Sequence, residues 1–245
     1  MAAGRVRGGF NQYGFAVGIL MLDTRFPRIV GDMGNAATFD FPVRYHRVAG
    51  AGPDLVVRRG AEGLLPAFIE GARQLEREGV GAVTTNCGFL VKFQREMAAA
   101  VSVPVFTSSL LLVPLVRRML APGRSVGILT VNAATLTPEH LDGAGITRDI
   151  PIVVAGLETE KEFTRVLLGD ELELDVDAAR EEHLRVARRL VTQHPEVGAI
   201  VLECTNMPPY AADIQRETGR PVFDIVSLVR MVQRALSAGL PPRPA

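Results

Sequence analysis

Apolar and polar positions along the chain follow two different periods. Short, mostly apolar runs of strand length recur at 15–22, 43–48, 80–85, 104–107, 125–131, 151–155, 197–203 and 221–223. Between them lie longer stretches with helical periodicity, near 61–78, 89–100, 109–120, 159–168, 176–193, 208–218 and 224–238. A strand covered on both faces reads as a continuous apolar run, and G-A-I-V-L at 198–202 is one. Such strands alternating with helices predict parallel sheets flanked by helices. The closing GLPPRPA at 239–245 reads as a loose tail.

The pattern repeats within the chain. VGAVTTNCGFLVKFQREMAAAVSVPVF (80–106) aligns without a gap on VGAIVLECTNMPPYAADIQRETGRPVF (197–223). Each block opens with V-G-A, continues as a buried strand, carries a cysteine at its eighth position, passes through a helix and closes on P-V-F. V-G-I-L, at 17–20 and again at 126–129, marks an early strand in each half. The chain therefore reads as two similar α/β lobes, each with a V-G-I-L strand early and a cysteine-bearing strand–loop–helix late.

Composition narrows the range of partners. Lys plus Arg and Asp plus Glu both number 27, so the formal charge is zero, and no run of like charge points to nucleic acid or a membrane surface. Tryptophan is absent and aromatics are few, which argues against a base-stacking platform. The first apolar run, FAVGILML at 15–22, is too short to span a bilayer; Asp23, Thr24 and Arg25 follow it with no small-residue cleavage site. These features point to the cytoplasm, where two cysteines are reduced thiols and not a disulfide framework. There is no G-x-G-x-x-G after the first strand, no P-loop and no His/Cys cluster at metal spacing, so no cofactor and no metal are expected.

The two registered cysteines carry the chemistry. In an open parallel sheet, ligands bind beyond the carboxyl ends of the strands. Cys87 and Cys204 each lie just past a strand and just before a helix, whose N-terminal partial charge is expected to draw the thiol pKa below its free value of about 8.5. If the lobes face one another, the thiols approach one cleft from opposite sides. One removes a proton from a carbon acid and the other delivers a proton to the opposite face, which is what stereoinversion requires. A free cysteine is more often a buried, inert core residue, but equivalent placement in both halves favours a functional pair.

At these residues the sequence resembles the aspartate/glutamate racemase superfamily, which also holds hydantoin racemases, arylmalonate decarboxylase and maleate isomerase. E-C-T-N-M-P (203–208) is similar to its second cysteine motif, Gly-Cys-Thr-(His/Glu)-x-Pro, and T-T-N-C-G-F (84–89) to its first. G-D-M-G-N-A-A-T (31–38) resembles the glycine-rich loop of aspartate racemases, and VGILTVNAATL (126–136) the second-lobe strand and its threonine loop. The resemblance covers nearly the whole chain. It implies an α/β fold of two pseudo-symmetric, doubly wound (Rossmann-like or flavodoxin-like) lobes with parallel sheets and the active site in the cleft between them. The first lobe is expected from 1–108 plus 224–245, with the last helix packing back on it, and the second from 109–223.

The resemblance further implies a cofactor-independent racemase or epimerase, with Cys87 and Cys204 as acid and base at a carbon next to a carboxylate or amide carbonyl. Acidic amino acids and hydantoins are the leading substrates. Substrate-binding residues are expected at Asp23, Asn35, Thr85, Asn86, Gly88, Asn132, Thr135, Thr205 and Asn206. Thr205 and Asn206 offer hydroxyl, amide and backbone donors for a carboxylate; Asp23 and Asn132 close the paired first strands, where loop caps are the simpler role. The partner is a small molecule bearing a carboxylate or amide, with self-association, a dimer first, as a further expectation. Arg25, Arg28, Arg44 and Arg47 are candidates for a distal carboxylate, or else surface charge. His46 is a candidate acid or a surface residue. His140, His183 and His194 read as solvated, as does the charged run 160–175.

The sequence also departs from the family pattern. Asn206 stands where the family has His or Glu, and an amide cannot serve the thiol as a base. Gly88 and Phe89 follow the first cysteine in place of Asn-Thr, and DTRFPRIV (23–30) separates the first strand from the glycine-rich loop. Two other outcomes fit the same fold: a decarboxylase or cis–trans isomerase of the superfamily, and a non-catalytic protein that binds a metabolite in the cleft.

Overall fold

The computed structural model describes residues 8–237; the tail at 239–245 lies outside them. In chain order the elements are β1 (Val17–Met21), β2 (Val43–Arg47), α1 (Pro53–Val57), α2 (Leu65–Arg77), β3 (Ala82–Thr85), α3 (Gln94–Ala99), β4 (Val105–Phe106), α4 (Val113–Met119), β5 (Ser125–Thr130), α5 (Pro138–Gly143), β6 (Ile152–Gly156), α6 (Phe163–Gly169), α7 (Val176–Gln193), β7 (Val197–Leu202), α8 (Ala211–Thr218), β8 (Val222–Phe223) and α9 (Ile225–Ser237). Short 3₁₀ turns, among them 88–93, 109–112 and 208–210, precede several helices.

The strands form two four-stranded parallel sheets of identical order, β2-β1-β3-β4 and β6-β5-β7-β8. The sequence repeat is thus a repeat of topology. β1 and β5 carry the two V-G-I-L segments at matching central places, and β3 and β7 carry the cysteine loops. Every residue of β5 and β7 is buried, as parallel strands covered on both faces must be.

The glycine of each V-G-I-L has the same physical reason. A Cβ on Gly18 would meet Leu75 Cδ1 of α2 at 2.9 Å, and one on Gly127 would meet Leu190 Cδ2 of α7 at 2.9 Å. In both lobes a glycine lets the covering helix seat a leucine against the central strand. α7 is capped by Asp175, whose carboxylate accepts from the backbone of Asp177 and Ala178, and it buries Ala179, Val186, Ala187 and Leu190. α9 leans on the first sheet: Arg230 pairs with Asp40 at 2.5 Å and donates to the Thr38 carbonyl, and Leu236 lies against Gly81.

Most elements fall where the apolar pattern places them. α1 and α5 are additions, each begun by a proline in a stretch read as loop. Two histidines depart from the expectation of solvation. His183 is fully buried, its ring stacked on Tyr210 at 4.3 Å, and His140 is buried edge-on to Phe89 at 5.1 Å. Burial lowers both pKa values to about 4, so both rings are neutral at physiological pH. Among the described residues, no helix is long and apolar enough to cross a membrane.

Candidate functional site

The two cysteine loops are held against the ends of their sheets by backbone and hydroxyl hydrogen bonds. After β3, the Thr84 hydroxyl donates to the Phe106 carbonyl at 2.6 Å, and that of Thr85 donates to the Thr107 and Cys87 carbonyls at 2.7 and 3.0 Å. The Asn86 backbone N–H donates to Leu20 O, and its side-chain oxygen accepts from Leu22 N–H at 2.7 Å, which ties the loop to the end of β1. After β7, the Glu203 N–H donates to Leu129 O at the end of β5. The lobes meet here: the Thr205 hydroxyl donates to the Asn86 carbonyl, while the Ser109 hydroxyl, at the start of the second lobe, donates to the Leu202 carbonyl at 2.6 Å. Both cysteine loops therefore face one interlobe space.

That space is a cavity of about 30 Å³, enough for one or two waters. Both thiols line it, together with Asn86, Gly88, Glu203, Thr205, Asn206 and Arg28. Its remaining wall is apolar: Leu22, Phe26, Pro53, Val57, Phe89, Val131, Leu167 and Leu168. Leu167 and Leu168 belong to α6, within the charged run expected to be solvated. The run instead lays a helix over the cavity and buries these two leucines.

Cys204 belongs to a polar chain that crosses the lobes. Its thiol lies 3.5 Å from Asn206 Oδ1, and Asn206 Nδ2 donates to Asp32 at 2.5 Å. A carboxylate only accepts hydrogen bonds, so Asp32 fixes the amide with its oxygen toward sulfur, and Cys204 is the donor. Asp32 in turn pairs with Arg28 at 3.0 Å and accepts from the Gly34 N–H. Arg28 also donates to Thr24 and stacks over Phe26 at 4.5 Å.

The thiols are not acidified. The turns after the cysteines are 3₁₀ and irregular, not long α-helices, and burial outweighs them. Cys87 is pushed up to about 12, first by burial and then by Glu203, against a smaller lowering from the Phe89 N–H and Arg28. Cys204 is raised well above an ordinary thiol, again by burial first and Glu203 second. This corrects the sequence expectation that a helix terminus would lower both values. Glu203 itself is fully buried. One carboxyl oxygen accepts from the Thr130 hydroxyl at 2.7 Å and the other has no partner, so burial raises its pKa to about 8.

Of the residues singled out in the sequence, Asn86, Cys87, Gly88, Cys204, Thr205 and Asn206 meet in the cavity, and Thr85 braces the first loop from behind. Asp23, Asn35, Asn132 and Thr135 do not reach the cavity wall. Asp23 is held by Arg47 and the Gly50 N–H. Asn35 and Asn132 cap 3₁₀ turns through Ala37 and Ala134, and Thr135 donates back to the Asn132 carbonyl. These are the loop roles that short polar side chains fill when their own backbone is the nearest partner.

Sequence reasoning passed over Glu203 and Asp32, while Arg28, a candidate there for a distal carboxylate, does line the cavity. Both missed residues had a signal. Glu203 occupies the position where the resembled motif has glycine, and Asp32 lies inside the glycine-rich segment, three residues before Asn35.

The model of the Asp/Glu/Hydantoin racemase family matches residues 52–231. Among curated proteins, a dimethylsulfoniopropionate lyase of Durusdinium sp. clade D is 30% identical over 217 residues, covering 86% of this chain and 71% of that protein. Dimethylsulfoniopropionate lyase 6 of Emiliania huxleyi is 31% identical over 225 residues; the match covers 86% of this chain and 57% of that longer protein. Among solved structures, allantoin racemase from Klebsiella pneumoniae superposes with a TM-score of 0.63 at 20% identity, covering 94% of this chain and 95% of that one. A glycine-to-cysteine mutant of arylmalonate decarboxylase, in its sulfate-associated form, gives a TM-score of 0.60 at 15% identity, over 94% and 97%. At these identities the structural likeness establishes the fold.

Proposed function

The chain belongs to the Asp/Glu/hydantoin racemase family, and we propose that it is a cofactor-independent carbon–sulfur lyase acting on a β-sulfonium carboxylate such as dimethylsulfoniopropionate. The observation that carries this reading is the character of the cavity wall beside the thiols. An amino-acid substrate brings an ammonium with three N–H groups that each need an acceptor when buried. Of the side-chain oxygens in the wall, Asn86 Oδ1 is taken by Leu22 N–H and Asn206 Oδ1 by Cys204, the Thr205 hydroxyl is turned to the Asn86 carbonyl, and Glu203 keeps one oxygen without a partner, too few acceptors for three N–H groups. A dimethylsulfonium has no N–H at all, and its methyl groups suit leucine, valine and phenylalanine walls. The named lyases among the relatives agree with this wall.

The chemistry follows from the geometry. Asn86 Nδ2 is buried, lines the cavity and has no partner, so it is the donor a substrate carboxylate would meet, with Arg28 nearby to offset its charge. Cys204 is held as a thiol by Asn206, which leaves Cys87 as the base. Its thiolate takes the proton from the carbon next to the carboxylate. The C–H electron pair becomes the new C=C bond, and the C–S bond breaks with its pair left on sulfur. Acrylate, dimethyl sulfide and one proton result. A sulfonium entering a low-dielectric cavity favours the thiolate, which offsets the burial that keeps the thiol protonated in the empty site.

Elimination needs a single base, and the presence of two thiols favours a second reading, racemisation at the same kind of carbon. Purified protein should release dimethyl sulfide and acrylate in equal amounts. Cys87→Ser should lose at least about 100-fold in kcat, the usual contribution of a positioned base. No sulfide release, together with deuterium uptake and inversion at a chiral α-carbon in heavy water, would replace the lyase by the racemase.

A further inference from the structure

We propose that Glu203 is the proton acceptor of the cysteine site, the group that turns the Cys87 thiol into a thiolate. It performs, from the position before Cys204, the task that Asn206 cannot perform from two positions after it. The proposal rests on the reading of Cys87 as the base.

Three observations place Glu203 there. It lines the cavity with both thiols and is fully buried. Its carboxyl group meets no cation: Oε2 accepts from Thr130, and Oε1 is left without any partner. Oε1 also lies flush against Gly88, so closely that a Cβ there would overlap it, and Gly88 is the residue next to Cys87. A buried carboxyl without a partner is expensive to keep, and nothing in the packing of β7 requires one. At the position before Cys204 a small residue would fill the backbone role.

The electrostatics of a buried, largely apolar wall explain what such a group does. A second negative charge beside a carboxylate in an apolar space is strongly disfavoured, which is why Glu203 raises both thiols. Moving a proton inside the space carries no such cost. The S–H bond of Cys87 breaks and an O–H bond forms on Glu203, directly or through one water. The single negative charge passes from carboxylate to sulfur, and the net charge of the cavity does not change. Cys204 already donates to Asn206, so Cys87 is the thiol left for this exchange. After the thiolate has taken the substrate's α-proton, Glu203 passes its own proton to solvent and the site is reset. One proton leaves per turnover, as the elimination requires. Burial raises Glu203 to about 8, so the carboxylate that accepts the proton, and the reset that restores it, are favoured under mildly alkaline conditions.

The test uses the full chain and two readouts. Without substrate, the rate of Cys87 alkylation by iodoacetamide in wild type should rise in a step near pH 8, as Glu203 ionises, and rise again only far above it. Glu203→Gln keeps the volume and the Thr130 contact but cannot take a proton. It should lose the step, and kcat for sulfide release should fall by roughly 100-fold or more. An intact step and intact activity in Glu203→Gln would overturn the proposal. Should that variant fail to fold, Thr130→Val serves. It removes the hydrogen bond that lowers the Glu203 pKa, so the step should move to higher pH; an unmoved step overturns the proposal equally. If the step appears in wild type and vanishes in Glu203→Gln while no sulfide is ever released, the proton acceptor stands and the lyase reading falls.

Discussion

At the scale of single residues, the site is governed by which hydrogen-bonding groups are committed and which are open. Asp32 is committed three times, to Arg28, Gly34 and Asn206. Through Asn206 it presents an acceptor to the Cys204 thiol, which burial already keeps protonated. Asp32→Asn tests this relay. A side chain with both donor and acceptor no longer dictates the orientation of the neighbouring amide, and Asn206 can turn its NH₂ toward sulfur. Cys204 should then be alkylated about tenfold faster, one pKa unit's worth, while the Cys87 profile keeps its step. The same change removes the carboxylate from a largely buried ion pair. Stability in urea should fall by about 3 kcal/mol, because Arg28 is left without its counter-charge. Equal alkylation of Cys204 in both proteins would show that the amide does not set its proton.

At the scale of elements, glycines record how closely two segments approach, and the cost of filling each one depends on what it meets. Gly18 of β1 faces the methyl groups and Cβ of the buried Leu75, a single apolar side chain that must shift slightly to make room. Gly88 faces the carboxyl and the backbone carbonyl of Glu203, which cannot move without shifting β7. Gly18→Ala should cost on the order of 1 kcal/mol and leave activity in place. Gly88→Ala should force the cysteine loops apart and abolish activity even where the protein still melts cooperatively, as calorimetry beside the sulfide assay would reveal. The same contrast explains what the sequence could reveal. V-G-I-L and the cysteine blocks recur because one packing solution is used twice, so the two lobes and the equivalent places of the thiols were legible from repetition and period, whereas the strand order needed the folded sheets. Gly88 was legible as a site residue but not as a spacer, since its neighbour lies more than a hundred positions away. Leu167 and Leu168 were hidden because a charged run usually marks a solvated face, and only the opposing lobe decides which side of α6 is covered. Arg28 was one of four candidate arginines that the sequence could not tell apart, until the chain folded Asp32 and Phe26 around it.

At the scale of the whole molecule, the interlobe space is smaller than the substrate proposed for it. A cavity of about 30 Å³ holds a water or two, whereas a sulfonium carboxylate has several heavy atoms. Entry therefore requires the lobes or their covering segments to part, and the contacts that span the mouth set the cost. The firmest is Asp170, at the C-terminal end of α6. Its carboxylate accepts from the backbone N–H of Arg25 at 2.6 Å and of Phe26 at 3.1 Å, and the Arg25 side chain adds an exposed ion pair. The surface ion pair is worth little; the two backbone hydrogen bonds tie the segment that carries Phe26 and Arg28, both in the cavity wall, to the end of α6. Asp170 also sits in the left-handed region, at φ 51°, a conformation that costs a non-glycine residue about 1 kcal/mol or more. The strain is tolerated because it aims the carboxylate across the lobes. Asp170→Gly separates the two effects, relieving the backbone while deleting the latch. Hydrogen exchange at the amides of Arg25 and Phe26 should become about tenfold faster or more, with protection in the β5 and β7 core unchanged. KM and kcat should shift together, as they do when closure is weakened and the chemistry is left intact. Unaltered exchange at those two amides would show that the mouth is held by the apolar contacts of Phe26 with Leu167 and Leu168, and Phe26→Ala would then be the change that opens it.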